Sequence, residues 1–274
     1  MSALDDVRLA DDIEVAAWRD LAAASPPVLR IEVADVADGA AVRCGVAPIT
    51  MFNRVIGLGT RRAITYGELA AVISHYRAAG VPSCWVHVGP ATDAGLRARL
   101  TAAGFAPARR ARWAKMLLRP DDPRPDVITS ALTVREIAPD DHAHGQAVAS
   151  LLTAVFAMPP AAEPWLLSLL GRPGWRVYAA FDGPLVVGGG CCYVRGEWAW
   201  LGLAGIGADH RRRGGQRALL WRRIDDALAA GCTAVGTETG EPIHDEPNPS
   251  LVNMQRCGLR LVCSRENLQL DLSP

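Results

Sequence analysis

Apolar residues recur at helical spacing in two places along the chain. Leu69, Val72, Ile73 and Tyr76 stand at i, i+3, i+4 and i+7, which predicts an amphipathic helix. Gly80 follows, suited to the left-handed residue that closes a helix. Leu220, Ile224, Ala227 and Leu228 make a second stripe, closed by Gly231. A strand-like run follows each stripe, Ser83–Val88 in the first case and residues 232–237 in the second. A helix through Leu96 and Leu100 then ends at Gly104, and one starting at Pro249 ends at Gly258. Each is followed by a strand: residues 113–118, and a final run with alternating Leu268, Leu270 and Leu272. The same order thus occurs twice, with Gly80 and Gly104 matched by Gly231 and Gly258 about 150 residues on, as in a diverged duplication.

Ahead of its helix the second half reads as a meander. Trp175–Asp182 is a strand, Asp182-Gly183 a turn signal, and residues 185–194 a second strand. Residues 195–197 turn again, and residues 198–208 make a third strand. Antiparallel strands followed by helix, strand, helix, strand predict an α/β (α+β) fold with a mixed, mostly antiparallel central sheet flanked by helices. Between the halves, residues 119–126 carry three prolines among charges and read as an extended linker. The expected domains are 1–122 and 127–274.

Composition narrows the function. Of 274 residues, 50% are hydrophobic and 21% charged, and 29 basic side chains balance 29 acidic ones. Such a balance does not recruit nucleic acid or anionic lipid. The 7 cysteines are odd in number and show no C-x-x-C spacing, so they read as buried apolar residues in a reducing compartment, with no metal site expected. No apolar run is long enough to span a bilayer, and the acidic N-terminus carries no basic-then-apolar signal. The expectation is a cytoplasmic protein that engages neither membrane nor nucleic acid.

The chemistry concentrates in one stretch, Ile206-Gly207-Ala208-Asp209-His210-Arg211-Arg212-Arg213-Gly214-Gly215-Gln216-Arg217. A strand stops, arginines and glycines follow, and a helix starts. The first turn of a helix presents unpaired N–H groups and the positive end of its dipole. Glycine lets a ligand come close to the backbone, and arginine adds charge-assisted bonds. Together they suit a phosphate or pyrophosphate, with a basic surface turn as the plain alternative.

This stretch resembles the pyrophosphate loop of the GNAT superfamily of acetyl-CoA-dependent N-acetyltransferases, in which Arg or Gln is followed after two residues by Gly and then, one further on, by Gly or Ala. Arg211, Gly214 and Gln216 occupy those positions, Gln216 departing from the usual small residue. The helix, strand and closing segment from Asn248 to Gly258 resemble the rest of that fold, so the resemblance covers about residues 132–272. It implies acetyl-CoA as co-substrate. Ile206, Gly207 and Ala208 would lie along the pantetheine, and Arg211, Arg212, Arg213, Gly214, Gly215, Gln216 and Arg217 around the pyrophosphate. Asn248 and Asn253 are further candidates, although Asn248 before Pro249 also suits a helix cap.

The implied reaction is attack of a neutral amine, on a small molecule or peptide, upon the thioester carbonyl. It needs a base, and an oxyanion donor. Glu238 is the favoured base, with Glu241, His244 and Asp245 as alternatives. Many relatives place a tyrosine where Met254 stands, four residues before Gly258; Ser250 and Cys257 are the nearby substitutes. His142 and His144 read as ordinary surface residues.

Aligning Gly80 with Gly231 sets Ala63-Ile64-Thr65 opposite Gly214-Gly215-Gln216. The glycines are lost, and Thr65 with Glu68 has capping-box spacing, so this helix satisfies its own first-turn donors. The first half is therefore expected to be a degenerate GNAT-like copy in a tandem pair. Three rivals stand beside this reading. A non-catalytic acyl-CoA-binding protein fits the missing tyrosine. A nicotinamide enzyme would use Gly202, Gly205 and Gly207, but those glycines do not open a helix directly. Transfer from aminoacyl-tRNA is disfavoured by the zero net charge.

Overall fold

A computed structural model describes residues 2–46, 50–125, 129–243 and 247–272. In chain order the elements are α1 (Ala3–Ala24), β1 (Ile31–Val36), β2 (Gly39–Cys44), β3 (Arg54–Ile56), α2 (Tyr66–Ala78), β4 (Ser83–Val88), α3 (Leu96–Ala102) and β5 (Ala106–Leu118). Then come β6 (Thr133–Glu136), α4 (His142–Val155), α5 (Ala162–Leu167), β7 (Trp175–Asp182), β8 (Leu185–Arg195), β9 (Trp198–Ile206), α6 (Gly215–Ala229), β10 (Ala234–Gly240), α7 (Pro249–Arg256) and β11 (Arg260–Asp271). They divide into two compact units that are not contiguous in sequence. The first comprises Met1–Lys115, Thr239–Asn248 and Val262–Pro274, the second Met116–Glu238 and Pro249–Leu261.

In the first unit the strand order is β1-β2-β3-β4-β11-β5. β3 and β4 are parallel, pairing Arg54 with Trp85 and Val55 with Val86. β11 lies antiparallel to β4, with Leu268 opposite Val86 and Leu270 opposite Cys84. The alternation at the chain's end thus buries Leu268 and Leu270 in the core of Leu69, Val72, Tyr76 and Leu100. α1 starts at a Ser2 capping box and buries Ile13, Ala17, Trp18 and Leu21.

In the second unit the order is β10-β9-β8-β7-β6. β6 to β9 form an antiparallel meander, and β10 joins β9 in parallel. α4 buries Val148 and Leu152, and α6 buries Leu219, Leu220 and Ile224. The mixed, mostly antiparallel sheets flanked by helices agree with the fold class expected. Gly80, Gly104, Gly231 and Gly258 all have positive φ, between 66° and 94°, as helix-closing residues require.

Two local expectations need correction. The third meander strand stops at Ile206 instead of Ala208: the Gly207 N–H still bonds the Val187 carbonyl on β8 (2.8 Å), but Ala208–His210 then form a single 3-10 turn. The proline-rich segment is not a free linker. Arg119 and Asp122 close a turn, Arg124 pairs with Asp225 at 3.0 Å, and Trp221 Nε1 donates to the Pro125 carbonyl at 3.2 Å. No helix among the described residues is long and apolar enough to cross a membrane.

Candidate functional site

The parallel ladder between β9 and β10 is short. It pairs Trp198, Ala199 and Trp200 with Ala234, Val235 and Gly236, and then ends. Beyond it, side chains replace the ladder. Thr237 Oγ1 donates to the Leu201 carbonyl at 2.6 Å, and Trp200 Nε1 donates to Glu238 Oε2 at 3.1 Å. The Trp200 ring lies across Gly202, where a Cβ would collide with it. The parallel pairing of β9 with β10 thus ends at Trp200 and Gly236.

Just beyond this point β9 carries a bulge. Cys191 pairs with Gly202 and Gly189 with Gly205, which leaves Leu203 and Ala204 opposite Gly190 alone. Leu203 has φ 49°, a conformation rare for a bulky residue. Carbonyls alternate along a strand. The Leu201 carbonyl faces Thr237 on β10, so the Gly202 carbonyl faces β8, where Arg223 binds it together with the Cys191 carbonyl. In a trans peptide the N–H points opposite to the carbonyl. The Leu203 N–H is thereby aimed into the gap between β9 and β10.

The chain then enters the arginine–glycine loop. Arg212 and Gly214 both have positive φ, 61° and 82°. Such alternation turns successive N–H groups inward as an anion-binding concavity. Gly214 is the N-cap of α6 and supplies no side-chain bond, so the first-turn amides of α6 carry no side-chain cap. Gly214 is required twice over. Beyond its φ, a Cβ there would stand 2.7 Å from the Thr129 carbonyl oxygen. A Cβ on Gly215 would meet Leu132 at 2.6 Å.

The arginines divide by role. Arg213 is committed to Asp182, with bonds of 2.5 and 3.0 Å that hold the Asp182 carboxyl below its ordinary pKa. Arg211 touches only the Ile206 carbonyl, at 3.4 Å, and Arg211, Arg212 and Arg217 form no ion pair among the described residues. Ile206 is buried, and the Gly207 N–H donates to Val187 on β8, which turns the Ile206 carbonyl to the opposite edge of β9. Ala208 opens the 3-10 turn.

The other candidates are placed as follows. Gln216 Nε2 donates to Ser250 Oγ at 3.1 Å, and Gln216 Oε1 accepts from Asn253 Nδ2 at 2.7 Å, so both amides are spent joining α6 to α7. Met254 is buried. Cys257 is buried too, and desolvation pushes its thiol up to about 11. Asn248 belongs to the first unit, where its amide donates to Thr239 Oγ1 (3.3 Å) and the Gly240 carbonyl. Glu241, in the same unit, pairs with Arg112 at 3.3 Å. His144 bonds Asp141 at 2.8 Å beside Arg135. His244 and Asp245 lie outside the described residues.

The corresponding loop of the first unit, between β3 and α2, is filled from within. Asp38, in the β1–β2 turn, accepts the N–H groups of Gly59 (2.7 Å), Arg61 (2.8 Å) and Arg62 (3.3 Å). Thr65 and Glu68 close the capping box on α2. α1 lies against the same loop, with Arg8 Nε donating to the Thr60 carbonyl at 3.0 Å and Arg61 pairing with Asp12 at 2.6 Å. Below it, Glu14 gathers Arg54, Lys115 and Arg265 in a buried ionic cluster.

No family model matches the sequence, and no curated protein matches it. Solved structures do. A GCN5-related N-acetyltransferase from Sphaerobacter thermophilus superposes with TM-score 0.60 at 18% identity, over 76% of this chain and 66% of its own. One from Kribbella flavida superposes with TM-score 0.60 at 14% identity, over 96% of this chain and 94% of its own. A tandem GNAT protein from the clavulanic acid biosynthesis pathway superposes with TM-score 0.57 at 16% identity, over 86% and 79%. The chain has a tandem GNAT fold. In that fold the parting of β9 from β10, the bulge at Leu203 and the Gly214 loop all fall in the second unit.

Sequence reasoning found the loop and the strand leading into it. It missed the bulge, because leucine carries no signal for positive φ. It missed Arg223, which reads as one more polar position on α6. It also missed Asp38, whose partners are about 20 residues away in sequence.

Proposed function

We propose that the chain is an acetyl-CoA-dependent N-acetyltransferase, with the cofactor carried by the copy spanning 127–274 and the copy spanning 1–122 left without one. The observation that carries this reading is the coincidence, within the second unit, of a parallel ladder that ends early, a bulge amide aimed into the gap and an uncapped loop with three arginines that form no ion pair among the described residues. Pantetheine would lie along the open edge of β9. The pyrophosphate would lie against the amides of residues 211–217 and the guanidinium groups of Arg211, Arg212 and Arg217. The first unit's loop already holds a carboxylate, which argues against a second cofactor there.

In this mechanism the amine nitrogen attacks the thioester carbonyl carbon. The Leu203 N–H donates to the carbonyl oxygen as negative charge develops on it. The C–S bond then breaks, and the sulfur leaves as a thiolate, an anion accessible to a group whose pKa is about 8.5. Glu238 takes the proton released by the amine, directly or through one water, and the Trp200 N–H orients its carboxylate. The acceptor is a small-molecule or peptide amine. The 7 buried, unbridged cysteines suit a reducing, cytoplasmic setting.

Met254, buried where many relatives carry a tyrosine, favours a second reading, a protein that binds acyl-CoA without turning it over. One pair of measurements separates the two. Calorimetry should give binding of CoA and acetyl-CoA but not of NAD or NADP. Thiol release from acetyl-CoA should then rise with one member of an amine panel. Binding without amine-dependent release supports the second reading, and no binding of either CoA species overturns both.

A further inference from the structure

Arg223, on α6, is buried, with 1% of its surface exposed, and makes no ion pair among the described residues. A guanidinium stays cationic in proteins, and a lone buried charge is expensive unless its donors are satisfied. Desolvation acts to lower the Arg223 pKa, and the groups around it are Cys192, Cys191, Tyr178 and Cys257. Its donors go to three carbonyls. Nε binds Leu219, one turn earlier on α6, at 3.0 Å, and Nη1 binds Cys191 at 2.9 Å and Gly202 at 3.2 Å. The last two flank the bulge. Gly190 makes room for this, since a Cβ there would stand 3.1 Å from the guanidinium carbon and 2.9 Å from Ala204 Cβ.

The bulge explains the need. Inserting an extra residue disrupts the ladder at Leu203 and Ala204, directly after the Cys191–Gly202 pair, which is where Arg223 adds a further donor. A neutral side chain of similar volume would fill the space but would remove the charged donor from both oxygens. The guanidinium joins both oxygens and fixes the orientation of the Gly202–Leu203 peptide. A cation at the oxygen end also draws electrons from the N–H end, and hydrogen bonds in such a chain strengthen one another.

We propose that Arg223 is a positioning residue for acyl transfer: by binding the Gly202 carbonyl it holds and polarises the Gly202–Leu203 peptide, so that the Leu203 N–H is presented as the donor for the thioester oxygen. The proposal rests on the acetyltransferase reading. It assigns α6 a second task beside its N-terminal anion loop, since the residue that braces the reacting amide sits on the same helix.

The test uses Arg223→Lys and Arg223→Met in the full chain. Lysine keeps the cation with a single point donor, and methionine keeps only bulk. Two readouts are followed. In the ligand-free protein, labelling glycine carbonyls with 13C and leucine amides with 15N reduces the spectrum to the Gly-Leu pairs at 57, 95, 202 and 258. The Leu203 amide proton should move upfield and exchange faster in the Met variant, with the Lys variant between it and wild type. The second readout is turnover. One lost oxyanion donor costs roughly 10²–10³ in kcat, so loosening one without removing it should lower kcat by roughly 10-fold or more. CoA affinity should stay within about twofold, and the Lys variant should recover part of the loss.

An unchanged Leu203 amide alongside intact CoA binding overturns the proposal alone. A Met variant that loses CoA affinity in step with kcat, with no recovery in the Lys variant, reduces Arg223 to a packing residue and also overturns it. If wild type binds neither CoA nor acetyl-CoA, the acetyltransferase reading falls and takes the catalytic role of Arg223 with it, whatever the amide shows.

Discussion

The carboxylate of Asp38 accepts the backbone N–H of Gly59 at 2.7 Å, and its other oxygen accepts that of Arg61 at 2.8 Å. A loop that follows a strand, gathers backbone N–H groups and leads into a helix is an anion site by geometry. In the first unit that site is satisfied by the protein's own side chain. Asp38→Ala should leave three amides without this acceptor and destabilise the protein by about 1–2 kcal/mol, toward the low end because Asp38 is half-buried. Added inorganic phosphate should restore part of the lost melting temperature in the variant and leave wild type unaffected, since a ligand of the native state stabilises only where its site is free. Equal responses of the two proteins to phosphate would mean that Asp38 does not occupy an anion site.

The two loops make opposite predictions for cofactor binding. Arg212 and Arg217 have no ion-pair partner among the described residues, whereas Arg61 is paired with Asp12 at 2.6 Å. Arg212→Ala and Arg217→Ala should each weaken CoA binding by roughly tenfold, about 1.4 kcal/mol, and steepen no other property. Arg61→Ala should leave CoA affinity unchanged. Arg213→Ala is a poorer probe, because it breaks the pair with Asp182 and disturbs the loop itself. Calorimetric titration of the four variants checks the assignment, and a loss confined to Arg61→Ala would place the cofactor in the wrong unit.

The buried cluster under α1 predicts how stability depends on pH. Burial and the neighbouring Arg265 and Arg54 push the His87 pKa well below 6.5. The folded state then binds fewer protons than the unfolded state below that pH. Stability from this group is complete above about 6.5 and is lost as pH falls below it, by up to about 1.4 kcal/mol per pH unit. His75 is shifted down by desolvation too and adds in the same sense. Glu14 behaves like an ordinary buried carboxylate in a cationic nest. Desolvation raises its pKa, but Arg54, Lys115 and Arg265 outweigh it, and the net shift is downward from 4.5. Its contribution is present above that value and fades as pH falls through the lower folded one. His87→Gln should therefore flatten the unfolding free energy between pH 6.5 and 5. Glu14→Gln should destabilise at neutral pH by roughly 3–5 kcal/mol, the scale for breaking a buried ion pair. Denaturant titrations across pH give both numbers.

Much of this was legible from residues that act on their immediate neighbours. The stripe Leu69, Val72, Ile73, Tyr76 is buried as its spacing predicts, and the glycines after four helices all adopt positive φ. Thr65 and Glu68 form the capping box that their spacing suggests. What stayed hidden depends on partners far along the chain. Nothing local says that Asp38 sits in the loop at Gly59, or that Glu14 meets Arg265 from the other end of the sequence at 3.5 Å. The Leu203 bulge is hidden for a different reason. Its φ is imposed by the register between β8 and β9, where three successive glycines, Gly188 to Gly190, admit Ile206, Val148 and Arg223 to positions that a Cβ would block.

Glu238 offers the most direct test of chemistry. Its carboxylate accepts the Trp200 N–H at 3.1 Å, just past the point where β9 and β10 part, and it is half-buried. A general base contributes roughly 10²–10⁴-fold, so Glu238→Gln should lower amine-dependent turnover at neutral pH by that order. The glutamine side chain keeps the size and can still accept from Trp200, so acetyl-CoA affinity should hardly change. Raising the pH should recover part of the loss, because a larger share of the amine then arrives neutral. Trp200→Phe separates orientation from basicity. It keeps a ring over Gly202 but removes the N–H, and should lower turnover less than Glu238→Gln, by roughly tenfold, without the recovery at high pH. Turnover that survives Glu238→Gln at neutral pH would remove Glu238 from the mechanism and leave proton transfer to water, with the Leu203 amide as the remaining contribution of this end of β9.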